Sequence, residues 1–295
     1  MVSRRDGTES LAPLLADEKA ARLVEILRGL ERVVVAYSGG VDSTFLLKVA
    51  HGTLGDRVIG VLAISESLDA NEMRAAEELA VAQGLPIERL RTREYDNPEY
   101  RRNDAQRCYH CKSELFTRLR EFAAREGYPW VLDGSHAGDR GDYRPGLRAR
   151  EEQGVRSPLM EADIDKDDIR RFSRALGLPT WDKPAAPCLA SRIPYGCEVT
   201  DEKLRQVEQL EAVLSGLGFE IRRVRHHGDL ARIEVPKERV PELLAVGVLD
   251  PVVAAGKALG FLQVTVDPEG FRSGSLNAAL GELVRLEPTA RRAGS

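Results

Sequence analysis

Four cysteines in 295 residues are too few to staple a fold. Thiols this sparse in a reducing compartment more often bind metal or do chemistry. Apolar runs are short, and none approaches the length a membrane span needs. The opening MVSRRDGTES has no apolar core of the secretory kind, so the expectation is a cytoplasmic protein without a membrane partner. Basic tracts are absent beyond short Arg-Arg pairs: 43 Lys and Arg against 47 Asp and Glu leave a net charge of -4. A nucleic-acid partner, which wants a basic face, is therefore not expected. No internal repeat is present.

What is present is alternation. RVVVAY, VIGVLAI, IERLRT and WVLDG read as buried or half-buried strands, and amphipathic segments such as STFLLKVAHGTLG, DANEMRAAEELAVAQG and CKSELFTRLREFAAREG lie between them. Ahead of the first strand, Ala20, Leu23, Val24, Leu27 and Leu30 fall on one helical face. Strand and helix in turn predict an α/β fold, a doubly wound parallel sheet whose ligands bind beyond the carboxyl ends of its strands. After the capped helix DIDKDDIRRFSRALGLP the rhythm breaks. TWDKPAAPCLASRIPYGCEVT is too rich in proline and small residues for either period, and a loop of that length is expected to be functional. From Asp201 a helix, the strands EIRRVRHH and LARIEVP, further helix and FLQVTV predict a smaller C-terminal α+β domain. The division expected is a flexible N-terminus over 1–16, the α/β domain over 17–198, the small domain, for substrate or oligomerisation, over 199–280, and a disordered tail over 281–295.

The first strand runs into AYSGGVDST, where two glycines stand between hydroxyls and an aspartate follows. A strand that ends this way and enters a helix presents backbone N–H groups, hydroxyls and a helix N-terminus to one point, which suits phosphate. Gly39 and Gly40 let the backbone approach closely or take positive φ, Ser38 and Ser43 can donate, and Asp42 is placed to hold Mg²⁺ on a pyrophosphate. The plain alternative is a tight turn with no ligand. The Walker spacing G-x-x-x-x-G-K-[ST] is missing, which argues against transfer of a γ-phosphate.

SGGVDS resembles the loop of the PP-loop ATP pyrophosphatase superfamily. That resemblance implies ATP as the nucleotide, with AMP and pyrophosphate as products. It also implies adenosine contacts near the end of the second strand, at Ser65 and Ser67. Contacts in the loop after the fourth strand are implied at Gly134, Asp139, Asp142 and Arg144, with ordinary surface solvation the alternative for each loop charge.

The cysteines narrow the choice. Cys188 sits in KPAAPCLASRIPYG with Lys183, Ser191 and Arg192 close in sequence, surroundings that favour an exposed thiolate nucleophile over a packed small residue. Together SGGVDS, RCYHCKSELF, GDYRPG, APCLASRIPYG and RVRHHGDLARIEV resemble the LarE family, the sacrificial sulfur transferases of nickel-pincer cofactor biosynthesis, from about Glu18 to Asn277. The resemblance implies that a carboxylate of pyridinium-3,5-biscarboxylic acid mononucleotide is adenylated and attacked by Cys188. Cleavage of the Cβ–S bond then leaves a thiocarboxylate and dehydroalanine. Such a substrate needs a second anion site. The strand period places Arg223 and Arg225 on one face, where the resemblance also implies phosphate contacts, with Ser191 beside them; a solvated strand edge is the alternative. His226 and His227 receive no role.

Cys108 and Cys111 form a lone C-x-x-C, without the second pair of a structural zinc site. With Cys188 they would supply three ligands. The resemblance implies that multi-cysteine members hold a [4Fe–4S] cluster this way and carry an extra sulfide on it. Sacrifice of Cys188 and a bare thiol pair are the alternatives, and Cys197 is read as structural. The resemblance also implies a homo-oligomer. A tRNA thiolase of the same superfamily and a non-catalytic adenine-nucleotide sensor are the competing functions.

Overall fold

A computed structural model of the protein describes residues 11–140 and 145–272. It divides into two compact units, residues 1–97 with 108–186, and residues 98–107 with 187–295. This differs from the expected boundary at 198. The cysteine-bearing loop from Pro187 onward belongs to the second unit, as does the short segment Pro98–Arg107. The expectation of a flexible stretch through residue 16 is also corrected. Leu11 and Leu14 are fully buried in the main core, because two leucines three apart in a helical turn present one apolar face. Residues 1–10 and the expected tail at 281–295 lie outside the described residues.

The first unit is built on a parallel sheet of order β3-β2-β1-β4, from β1 (Val33–Tyr37), β2 (Val58–Ile64), β3 (Ile87–Arg91) and β4 (Trp130–Leu132). In the central strand β1, Val33, Val35 and Tyr37 face one core and Val34 the other, the alternation a sheet covered on both sides requires. One core is filled from α1 (Glu18–Arg28), α2 (Val41–Leu54) and, in chain order after α3 (Ala70–Ala82), α4 (Pro98–Arg101), α5 (Arg107–Glu126), α6 (Pro145–Glu152) and α7 (Pro158–Glu161), from α8 (Lys166–Ala175). Phe116, Leu119 and Phe122 of α5 fill the other core. Each fully buried side chain of this size contributes about 1.5–3 kcal/mol. Helix starts follow the capping rules: Asp17 accepts from the N–H groups of Lys19 and Ala20, and Asp69 from those of Asn71 and Glu72. Asp165 and Asp168 form a reciprocal capping box at α8. The doubly wound α/β class is as expected.

The second unit holds a three-stranded sheet of order β5-β6-β7, from β5 (Arg223–His227), β6 (Leu230–Glu234) and β7 (Gln263–Val266), with β5 antiparallel and β7 parallel to β6. Leu204, Val207, Leu210 and Leu214 of α9 (Asp201–Gly216) are buried, as are Val224, Ile233 and Phe261. After the short α10 (Val240–Leu243), α11 (Leu249–Ala258) packs beside β7 and α9. This is the small α+β domain. Among the described residues no helix is long and apolar enough to cross a membrane.

Candidate active site

The loop after β1 has the geometry its sequence calls for. Gly39 takes φ +69°, and a Cβ built there would stand 2.5 Å from Cβ of Ala76 on α3, so only glycine fits. Gly40, at φ -79°, is the N-cap of α2, and no side chain caps that helix. The first amides of α2 are thus left for a ligand. Oγ of Ser43 accepts from the N–H of Ser38 at 3.1 Å and shares a 3.1 Å hydrogen bond with Oγ of Ser38, so the two hydroxyls are held together. Asp42, on the first turn of α2, does not point into empty solvent. Nζ of Lys166 donates to both its oxygens at 2.6 and 2.8 Å. Lys183 bonds the carbonyl of Gly39 at 3.3 Å and the carboxylate of Glu72 at 2.8 Å.

The neighbouring strand ends contribute differently. Oγ of Ser65 and Oγ of Ser67 share a hydrogen bond of 3.1 Å, and Ser67 donates to Glu94 at 3.4 Å. Glu94 is buried, with its second oxygen lacking a hydrogen-bond partner. Gly134, just beyond β4, packs close to the loop: a Cβ there would lie 3.1 Å from the backbone N of Ser43 and 3.2 Å from Cβ of Asp42, which favours glycine at this approach. Asp139 is buried and accepts from the N–H of His136 at 3.0 Å, capping a short helical turn, so the solvated alternative fails for it. Asp142 and Arg144 lie outside the described residues.

In the second unit Cys188 is exposed at the start of a helical turn, Leu189–Arg192, whose Leu189 and Ala190 are buried. This placement removes the packed-residue alternative. Arg192 pins the turn. Its Nε and one terminal nitrogen meet the two oxygens of Glu211 at 2.8 and 2.9 Å, and its other nitrogen donates to the carbonyls of Pro187 and Cys188 and to Oγ of Ser191. The expectation that Arg192 serves the thiol as a neighbouring charge gives way to a clamp on the backbone around it. Glu211 also accepts from the N–H of Val224 in β5 at 3.0 Å. The cysteine turn and the arginine strand therefore hang from one buried carboxylate. A second anchor is Asn103, whose side-chain nitrogen reaches the carbonyls of Pro194 and Cys197 at 2.8 Å while Arg107 bridges it to the carbonyl of Ala190. The thiol of Cys197 is exposed, so its structural role is carried by its backbone.

Arg223 and Arg225 are both buried, and the solvated-edge alternative falls. They are not equivalent forks. Arg225 already faces Glu234 at 2.8 Å and the carbonyl of Ser191 at 3.1 Å. Burial, together with the nearby Arg192, Arg225 and Arg222 and opposed by Glu211, pushes Arg223 down to about 10. Its guanidinium also donates to the carbonyl of Arg222 at 2.6 Å and lies over the ring of Phe271. His226 and His227 are lowered, chiefly by burial, and His226 bonds Gln206 at 2.9 Å.

Cys108 and Cys111 stand in the first turns of α5, spaced to share a helix face, in the first unit, whereas Cys188 lies in the second. Among the described residues no three His, Cys, Asp or Glu side chains gather into a metal site.

A parallel sheet whose first strand ends in Ser-Gly-Gly-Val-Asp-Ser at an uncapped helix start defines a PP-loop nucleotide-binding protein. No family model matches the chain. It is 44% identical to an uncharacterized protein of Synechocystis sp. over 90% of this chain and 99% of that one. It is 42% identical to pyridinium-3,5-bisthiocarboxylic acid mononucleotide synthase of Lactiplantibacillus plantarum, over 89% and 95%. At greater distance, a glutamine-hydrolyzing GMP synthase polypeptide of Sulfurisphaera tokodaii is 28% identical over 55% of this chain and 47% of its own. The chain belongs to the LarE family of that mononucleotide synthase.

Proposed function

We propose that the protein is an ATP-dependent sulfur transferase that converts a carboxylate of a pyridinium-3,5-biscarboxylic acid mononucleotide into a thiocarboxylate. The observation that carries this reading is the frame around Glu211, which holds an exposed thiol, Cys188, and a buried arginine strand in one unit. The name of the Lactiplantibacillus relative supports the substrate class.

In the first half-reaction the substrate carboxylate attacks the α-phosphorus of ATP, pyrophosphate leaves, and an acyl adenylate forms. The amides of α2, with Ser38 and Ser43, take the pyrophosphate, and Ser65 lies toward the adenosine. Asp42 is the residue that would hold Mg²⁺, which when bound neutralises the leaving charge. In the second half, Arg223 binds the substrate phosphate and the Cys188 thiolate attacks the acyl carbon. The C–S bond forms and AMP leaves. A base then takes the Cα proton of residue 188, the Cβ–S pair departs with the thiocarboxylate, and a Cα=Cβ double bond remains.

The second reading keeps sulfur on an iron–sulfur cluster held by Cys108, Cys111 and Cys188, and its support is the pairing of two thiols on α5. One experiment separates the readings: anaerobic purification with iron and sulfide assay, then turnover with ATP and intact mass. Loss of about 34 Da at residue 188, the H₂S removed in making dehydroalanine, without iron, supports sacrifice. Stoichiometric iron with unchanged mass supports the cluster. Formation of ADP instead of AMP overturns the adenylating reading, and a Cys188→Ala variant that still makes thiocarboxylate overturns the role of Cys188.

A further inference from the structure

A Walker loop carries its lysine within the loop itself, but SGGVDS brings only hydroxyls, amides and a carboxylate. The α2 N-terminus supplies roughly +0.5 of an elementary charge, which the carboxylate of Asp42 more than cancels. Left so, the site would repel pyrophosphate. Two lysines from distant parts of the chain reach it. Lys166 holds Asp42, and Lys183 holds both the carbonyl of Gly39 and the carboxylate of Glu72.

The position of Lys166 has no helical reason. It is the first residue of α8, after the N-cap Asp165, where the helix dipole disfavours a cation. Both pairs are also partly open to solvent. Side-chain exposures are 39% and 30% for Lys166 and Asp42, and 23% and 37% for Lys183 and Glu72. In that range an ion pair is weak and exchanges readily.

We infer that Lys166 and Lys183 are the cations that hold the pyrophosphate portion of the nucleotide. In the ligand-free protein each rests on a carboxylate. When nucleotide and Mg²⁺ enter, Asp42 turns to the metal and the lysines move onto phosphate oxygens. This rests on the pyrophosphate reading of the loop and assigns to it two residues that the motif does not contain.

The test is calorimetric titration of the full chain with inorganic pyrophosphate and Mg²⁺, and separately with AMP. Lys166→Met and Lys183→Met should each weaken pyrophosphate binding about 10- to 100-fold, the range of a lost charge-assisted contact, while AMP affinity shifts by less than about threefold. Lys166→Arg should recover part of the loss. The control is Lys19→Met, which breaks a pair of equal length with an equally exposed lysine, Lys19 with Asp168 at 2.6 Å, and should bind pyrophosphate like wild type. Unchanged pyrophosphate binding in both lysine variants overturns the inference. So does an equal loss of AMP and pyrophosphate, or an equal loss in Lys19→Met. Wild-type protein that binds AMP but no pyrophosphate overturns the loop reading itself, and the inference with it.

Discussion

The ion pairs beside the loop of the first unit and those beside the cysteine turn and β5 of the second differ sharply in burial. Around the loop of the first unit the pairs are half open to water, Lys166 with Asp42 and Lys183 with Glu72. In the second unit Arg192 and Glu211 are 5% and 3% exposed, and Arg225 and Glu234 are 6% and 2%. An open pair contributes little to stability and parts easily, whereas a sealed pair is strongly destabilising to break because the survivor is a buried charge. The loop pairs are therefore suited to ligand exchange, and the sealed pairs to holding the cysteine turn and β5 in register.

The contrast breaks first, if at all, at Glu211. Glu211→Ala should cost about 3–5 kcal/mol of folding stability, the range for a severed buried pair, read by chemical denaturation. Arg225→Met should act in the same direction but by less, because Glu234 keeps Arg232 at 3.1 Å. Arg223→Met should cost less stability than Arg225→Met, because the side chain it removes donates to the carbonyl of Arg222 and lies over the Phe271 ring instead of pairing a buried carboxylate at 2.8 Å, while mononucleotide binding weakens. A loss of stability in Arg223→Met as large as in Arg225→Met would erase the difference between the two arginines.

A medium effect is expected at Gly39. Gly39→Ala should cost about 1–3 kcal/mol, from positive φ and overpacking against Ala76, and should abolish ATP binding by titration. Smaller still is Lys19→Met, below about 1 kcal/mol for an exposed pair, measured by the same denaturation.

The smallest effect is in pH. His226 and His227 in the second unit, like His51 in the first, have pKa values lowered chiefly by burial. A depressed histidine means the unfolded chain binds more protons, so stability is fully present above the ordinary value of 6.5 and falls as pH drops through the folded values. Acid unfolding from pH 7 downward should begin there, and His226→Gln should flatten its slope.

The sheet strands were legible because buried strands read as apolar runs. VIGVLAI names β2 end to end, and VVVAY lies within the quoted RVVVAY. SGGVDS was legible because its glycine requirement is steric and local. The anchors were not. Arg107 reaches Ala190 across 83 residues, Asn103 reaches Cys197 across 94 and Lys166 reaches Asp42 across 124, while Glu211 joins Arg192 and Val224 across 19 and 13, and no periodicity encodes such contacts. The short helices α4, α6 and α7 were missed because segments of four to eight residues give too few turns to show a period. The partner of Arg225 is hidden for a related reason: strand alternation gives its face but not that Glu234 of β6, in register with Arg223, reaches it diagonally.

Gly39 leans on the Cα and Cβ of Ala76, and just before it in the chain the hydroxyl of Tyr37 bonds the carbonyl of the same residue at 2.8 Å. Helix α3 is thereby keyed to the loop at two points, and it also carries Glu72, the partner of Lys183. Residues 37, 39 and 76 form a set that can vary only in concert. A larger side chain at 76 has no direction in which to yield without pushing the loop, and a shift of α3 moves the seat of Lys183 with it. The spacing from Tyr37 through the glycine to α3 thus acts as a ruler for the height of the loop over α3, and on the proposed pyrophosphate reading drift at position 76 would be felt as a change in nucleotide affinity before any loss of fold.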